Sequence, residues 1–175
     1  MKTLVLAGLT AAGKTTISYE LEKRLPNVTT LHFDDYSYEG EVEDFYKWTI
    51  EGADFNVWKL EPLVKDVIRL KESGKYDWLI LDFPFGYCHD EMKDYIDYVV
   101  YVDTPLDVTL ARRIIRDMPN ATGNEIREEL ELYVKYGRIA FLETPKQVLP
   151  SADCVVDGTK PVAESIEKIM NFVSK

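Results

Sequence analysis

Positive charge is scarce in this sequence of 175 residues: 21 Lys and Arg stand against 31 Asp and Glu, a formal net charge of −10. That balance excludes a broad nucleic-acid surface, because phosphate backbones are held by clustered cations. Any anion site has to be a local basic cluster inside an acidic field. Only two cysteines occur, Cys88 and Cys154, far apart and outside any metal-ligand spacing, which points to reduced, packed thiols. The two histidines, His32 and His89, lack partners at ligand spacing and read as structural or exposed. No apolar run approaches the roughly 20 residues of a membrane span. Repeats, linkers and low-complexity segments are absent too, which leaves one domain. The sequence runs straight into an apolar strand pattern without the features of a signal peptide, so the expected compartment is the cytoplasm.

What is present begins at once. Leu4 to Ala7 is a short apolar run of the kind that forms a buried parallel strand. Gly8-Leu9-Thr10-Ala11-Ala12-Gly13-Lys14-Thr15 then gives G-x-x-x-x-G-K-T, followed by Thr16 and an amphipathic helical pattern to Leu25. By average frequencies the four fixed positions match by chance in roughly one chain of this length in two hundred. The strand before and the helix after supply the context the motif needs. Glycines let the backbone wrap a phosphate, and the loop N–H groups and the positive end of the helix point at it. Lys14 adds a charge on the β and γ oxygens, and the Thr15 hydroxyl suits Mg²⁺. The pattern predicts a nucleoside triphosphate site.

Further on, strand patterns cover Val28–Phe33, Tyr76–Leu81, Tyr98–Val102 and Cys154–Val156. Helical patterns cover Leu60–Ser73, the stretch after Thr104-Pro105, Thr122 to about Glu143, and Val162–Val173. Asp90–Ile96 reads as a brief helix. Thr104 reads as an N-cap with Asp107 completing a capping box, and Thr122 with Glu125 as a second box. The segment 36–59 is acidic and aromatic (Tyr38, Phe45, Tyr46, Trp48, Phe55, Trp58). It reads as an acceptor-side insert with a short helix near Val42–Ile50, its aromatics either stacking on a ligand or packing. Alternating strands and helices behind a phosphate loop predict an α/β fold. We expect the three-layer P-loop NTPase type, a five-stranded parallel sheet with helices on both faces. Ligands on such sheets sit beyond the carboxyl ends of the strands, where Gly8, Asp34, Asp82 and Asp103 all fall.

Phosphoryl transfer needs positioning, charge neutralisation and a group to take the acceptor's proton. Asp34 is the preferred base over its neighbour Asp35, and it can also reach the metal shell through water. Asp82 closes the run Trp-Leu-Ile-Leu-Asp and is expected to orient Mg²⁺, with N-capping as the structural alternative. Arg112 and Arg116 share a helix face and Arg113 leans to one side. A phosphate chain would relieve their crowding, as would pairing with Asp107, Asp117 or Glu125.

These residues in this order resemble the uridine kinase and nicotinamide riboside kinase group. The likeness rests on the phosphate loop, Asp34-Asp35-Tyr36, the apolar strand ending in an acid, and Arg112-Arg113-x-x-Arg116-Asp117. The tail adds Phe141 to Gly158, with Pro145, Lys146 and Ala152-Asp153-Cys-Val-Val-Asp-Gly, and then Asp157-Gly158-Thr159-Lys160. The resemblance implies Asp34 as catalytic base and Arg112 and Arg116 as lid residues on ATP phosphates within a lid near 112–124. It also implies Asp157 and Gly158 beside the nucleotide, and Arg113 toward the acceptor's ribose. The family's aromatic-aspartate pair that grips ribose hydroxyls is matched by Phe55-Asn56. Two more departures are Asp82-Phe-Pro-Phe in place of Glu-Gly and a lid without Arg-Gly-Arg.

The expectation is therefore an enzyme that uses ATP and Mg²⁺ to phosphorylate a hydroxyl of a small molecule, most plausibly a nucleoside or ribosyl compound. Lys14, Arg112 and Arg116 would stabilise charge, Thr15 and Asp82 would hold the metal, and Asp34, Asn56 and Arg113 would meet the acceptor. Neither nucleic acid nor membrane is an expected partner. Kinases for another small acceptor, or a nucleotide-hydrolysing switch, stay open, as does the choice between monomer and homo-oligomer.

Overall fold

A computed structural model describes residues 1–174. Five strands make one parallel sheet: β1 (Lys2–Ala7), β2 (Val28–His32), β3 (Trp78–Asp82), β4 (Tyr98–Asp103) and β5 (Cys154–Asp157). Their spatial order is β2-β3-β1-β4-β5. The helices are α1 (Lys14–Glu22), α2 (Phe45–Ile50), α3 (Glu61–Ser73), α4 (Leu106–Asp117), α5 (Gly123–Leu132), α6 (Arg138–Gln147) and α7 (Val162–Val173). This is the expected α/β architecture, with β1 central and the carboxyl ends of all five strands at one edge.

The period of two along each strand divides the core into two layers. Leu4, Leu6, Ile80, Val100 and Val102 face α1 and α7, meeting Ile17, Leu21, Ile166, Ile169 and Val173. Val5, Ala7, Leu79, Leu81, Val99 and Tyr101 face the other way, onto Leu63 and Val67 of α3 and the aromatics of the insert. Each fully buried Leu or Val contributes about 1.5–3 kcal/mol, so both helical layers are held firmly to the sheet. No described helix is long and apolar enough to cross a membrane.

The insert folds into a compact aromatic cluster. Trp48, Phe55 and Trp58 are buried beside Phe85, with Phe55 stacked on Phe85 at 4.7 Å between centroids. Its aromatics therefore pack, with Phe45 and Tyr46 left exposed. Asp44 caps α2 by accepting from the Lys47 N–H, which starts that helix later than the Val42 expected. His89 closes the cluster from below and is fully buried. Its Nδ1 accepts from the Glu91 N–H at 3.3 Å, so Nε2 carries the proton and donates to the Trp58 carbonyl at 2.9 Å.

Several boundaries depart from the sequence reading for identifiable reasons. Helix α1 ends at Glu22 rather than Leu25 because Leu25 precedes Pro26, which disfavours helical geometry. The expected helix at 90–96 is only a 3₁₀ turn, Lys93–Tyr95. Pro105, not Thr104, is the N-cap of α4, and that end has no side-chain cap. Thr104 is buried and directs its hydroxyl to the Ala12 carbonyl instead. The Thr122–Glu125 capping box is present in both halves. The long helix behind it is interrupted by a π-helical turn, Tyr133–Gly137, and runs on through α6 to Gln147. Tyr133, at the start of that turn, is buried against Phe141, with Leu132 and Val134 on either side exposed.

Burial lowers the pKa of His89, against the Trp58 carbonyl and the charges of Glu91, Asp90 and Asp54. The folded state therefore holds this imidazole neutral, and the unfolded chain binds the proton more readily. The stability it confers is complete above the ordinary histidine value of about 6.5 and is lost as pH falls below it. Thermal melts followed through that window should show a steeper loss of Tm for the wild type than for His89→Gln.

Candidate active site

The phosphate loop joins β1 to α1 at the carboxyl edge of the sheet. Gly8 has φ +138°, and a Cβ there would lie 2.8 Å from the Val102 carbonyl oxygen, so β4 presses directly against the start of the loop. Ala11 takes a left-handed φ of 56°, a conformation that costs a non-glycine residue about 1 kcal/mol or more. Such strain concentrates at binding sites. The loop borders a cavity of about 750 Å³, within the range of small-ligand sites.

Lys14 reaches back over the loop and donates to the carbonyls of Gly8 at 3.2 Å and Leu9 at 3.0 Å. Its Nζ lies 3.9 Å from Asp82 Oδ1. Burial lowers the pKa of the amine, while Asp82 and Asp34 oppose that shift and Arg116 adds to it. Thr15 donates its hydroxyl to Asp82 Oδ2 at 2.8 Å. His32 stands on the far side of that carboxylate, Nδ1 3.5 Å from Oδ2. Nothing in its spacing foretold this, because β2 and β3 become neighbours only through the register His32↔Asp82.

Helix α4 supplies the arginines. Arg112 donates to the carbonyls of Ala12 at 3.3 Å and Gly158 at 3.0 Å. Arg116 is gripped by both oxygens of Asp117, at 2.6 and 3.0 Å, and donates to Thr10 Oγ1 at 3.3 Å. Both line the cavity with Lys14, and Lys160 adds a fourth cation there. A basic pocket thus forms inside a protein of net charge −10.

The structure brings Thr10, Ala11, Ala12, Gly13, Lys14, Thr15, Thr16, Asp34, Asp82, Arg112, Arg116 and Gly158 to this one cavity. Asp34, in a 3₁₀ turn (Phe33–Asp35) after β2, faces it, and Asp35 does not line it. Gly8 and Leu9 lie behind the loop and offer their carbonyls to Lys14. Three expected residues stand apart. Asp157 accepts from the N–H and hydroxyl of Thr159, closing a turn. Asn56 donates its amide to Asp54 Oδ1 within the insert and accepts from the Asp90 N–H of the loop after β3. Arg113 pairs with Glu129 of α5 at 2.6 Å and lies over the Phe141 ring, and its Nε has no hydrogen-bond partner among the described residues. Ile17, Phe33, Pro84, Lys160, Val162 and Ser165 complete the lining. Of these only Lys160 carried a sequence signal, as the end of the Asp-Gly-Thr-Lys stretch.

The oxygen donors suit a hard cation. Thr15 Oγ1 and the Asp82 carboxylate lie together at the foot of the cavity, and Asp34 is a third oxygen donor on its wall. Mg²⁺ keeps several waters and asks for only one or two carboxylates beside phosphate oxygens, so these residues fit it.

Comparison with known proteins bears on the family and the fold. Residues 75–162, just over half of the chain, match the model of the Phosphoribulokinase / Uridine kinase family. The chain is 24% identical over 199 residues to a uridine kinase of Schizosaccharomyces pombe, covering 97% of this chain and 43% of that protein. It is 24% identical over 196 residues to uridine-cytidine kinase B of Dictyostelium discoideum, covering 97% and 79%. It therefore spans less than half of the first relative and most of the second. Among solved structures, a deoxyadenosine kinase from M. mycoides superposes with a TM-score of 0.50 at 20% identity over 98% of both chains, a likeness of fold.

Two substitutions test how the site is held. A Cβ on Gly158 would lie 2.0 Å from Thr104 Oγ1 and 2.7 Å from the Ala12 carbonyl. Gly158→Ala should therefore cost about 1–3 kcal/mol in urea unfolding and weaken binding of any anion in the loop. Glu129→Ala strands the mostly buried Arg113 guanidinium, and a loss of about 1–2 kcal/mol is expected, less than for a fully buried pair because Glu129 is partly solvated.

Proposed function

Since the chain belongs to the phosphoribulokinase / uridine kinase family, we propose that it moves the γ-phosphoryl of ATP, with Mg²⁺, to a hydroxyl of a nucleoside or similar ribosyl compound. The observation that carries this reading is the convergence on one cavity of Lys14, Arg112 and Arg116 with the single exposed carboxylate of Asp34.

In this mechanism the loop N–H groups and the start of α1 cradle the phosphate chain. Lys14 leaves the carbonyls of Gly8 and Leu9 for the β and γ oxygens, and its partial burial strengthens the attraction to them by keeping water off. Arg112 and Arg116 face the same oxygens from α4, already orientated by Ala12, Gly158 and Asp117. Thr15 and Asp82 hold Mg²⁺, which when bound draws charge from the transferring group. Asp34 accepts the proton of the acceptor hydroxyl as the oxygen attacks in line. On the acceptor side, Phe33 and Pro84 form an apolar wall beside Asp34. Asn56 is engaged by Asp54 of the insert and Asp90 of the loop after β3, so ribose contact by its amide requires release from both. The amide brings no charge of its own, and acceptor selection falls chiefly to Asp34 and that wall.

The test is ADP release from ATP and Mg²⁺ against a panel of nucleosides and other small alcohols. Turnover should depend on a ribosyl acceptor. Asp34→Asn should lower kcat at least about a hundredfold with ATP affinity little changed. Lys14→Ala should lower the rate by a similar factor while also weakening ATP binding. Near-normal turnover in Asp34→Asn would remove it as the base. Hydrolysis indifferent to every acceptor would instead favour the switch.

A further inference from the structure

Helix α5 buries none of its ten residues, although its sequence is amphipathic. Ile126 and Leu130 lie one turn apart on one side, and Val134, at the start of the π-helical turn, continues the stripe. Leu130 is 37% and Val134 75% exposed. Together with Gly123, Arg127 and Glu131 they line a shallow groove on the outer surface. Ile126 is half-buried and the other two residues are open, so the stripe is available to a partner.

The geometry points to a second copy of this chain as the occupant, its α5 packed antiparallel against the first about a twofold axis. The argument is charge complementarity. Arg127 and Glu131 are one turn apart on the same flank of the stripe, with opposite signs. A twofold axis perpendicular to the helix and passing midway between them keeps each flank on its own side and reverses the helix direction. Arg127 then comes level with Glu131 of the second copy, and Glu131 with Arg127, giving two equivalent ion pairs. The same operation sets Ile126 between Leu130 and Val134 of the other molecule. Val134 meets the end of the helix at Gly123, where the space a Cβ would enter is open to 4 Å. One patch serving both partners is the defining property of an isologous contact.

A single helix face is at the small end of specific interfaces, so the dimer should be concentration-dependent, with a dissociation constant on the order of micromolar. Its link to the site runs through Glu129, on the same helix, which holds Arg113 of the arginine-bearing α4. The inference does not depend on the kinase reading, because its readout is molecular mass.

Sedimentation velocity over a dilution series tests it, at physiological ionic strength, where a Debye length of about 8 Å screens the repulsion between two acidic chains. The wild type should pass from monomer to dimer as concentration rises. Leu130→Asp should sediment as monomer throughout. Arg127→Glu and Glu131→Arg should each raise the dissociation constant about tenfold. The double variant Arg127→Glu/Glu131→Arg rebuilds both pairs in reverse and should return close to the wild-type value. All these positions are on the surface, and circular dichroism checks that the fold is kept. If Leu130→Asp did not fold, the charge-reversal set would decide alone. A wild type that stays monomeric, a dimer that survives Leu130→Asp, or a double variant no tighter than the single ones would each overturn the inference.

Discussion

Two donors converge on one carbonyl oxygen of the phosphate loop: the Thr104 hydroxyl at 2.9 Å and the Arg112 guanidinium at 3.3 Å both reach Ala12. Gly158 lies close beneath, and its own carbonyl takes the other arm of Arg112. These contacts tie β1, β4, α4 and β5 into one rigid edge. An orientated set of loop amides is useful only if it stays fixed as charge changes beside it. The cost of that rigidity is visible in the loop itself, where Ala11 occupies a left-handed conformation.

The same edge explains how so acidic a chain keeps an anion site. Lys14, Arg112, Arg116 and Lys160 surround one cavity, and each of the first three is held by a short-range partner rather than by the overall field. Arg116 is clamped by Asp117, and Lys14 by two loop carbonyls. The neighbouring arginine, Arg113, is turned away to Glu129 and Phe141, so successive positions of α4 serve the cavity and the packing of α5 in turn. Helical periodicity thus divides one run of cations between the cavity and the packing of α5.

The parts of the fold that depend on local pattern were legible in the sequence: the loop, the apolar strands with their two faces, α7 to the residue, and the Thr122 capping box. Asp34 and Asp82 fell at strand ends because every parallel strand points its carboxyl end to the same edge. What stayed hidden depends on contacts between distant segments. Thr104 looks like a cap from its neighbours, but its hydroxyl bonds a residue 92 positions earlier. Gly158 looked like a turn beside the nucleotide, and its lack of a side chain is what lets β4 and the loop close over it. His89 was legible only as structural or exposed, since its burial depends on Trp58 and Phe85. The π-helical turn at Tyr133–Gly137 interrupts what reads locally as one helical pattern from Thr122 to about Glu143.

The closeness of Gly158 to Ala12 also bears on synthesis. The phosphate loop is made well before β3 and β4, the strands that flank β1. The glycine beneath the loop follows only after β5 has been made. Until then the loop lacks its floor and Arg112 lacks one of its two carbonyl anchors. A nascent chain stalled before residue 158 would carry the whole motif without that support, so the loop is completed only after the last strand of the sheet.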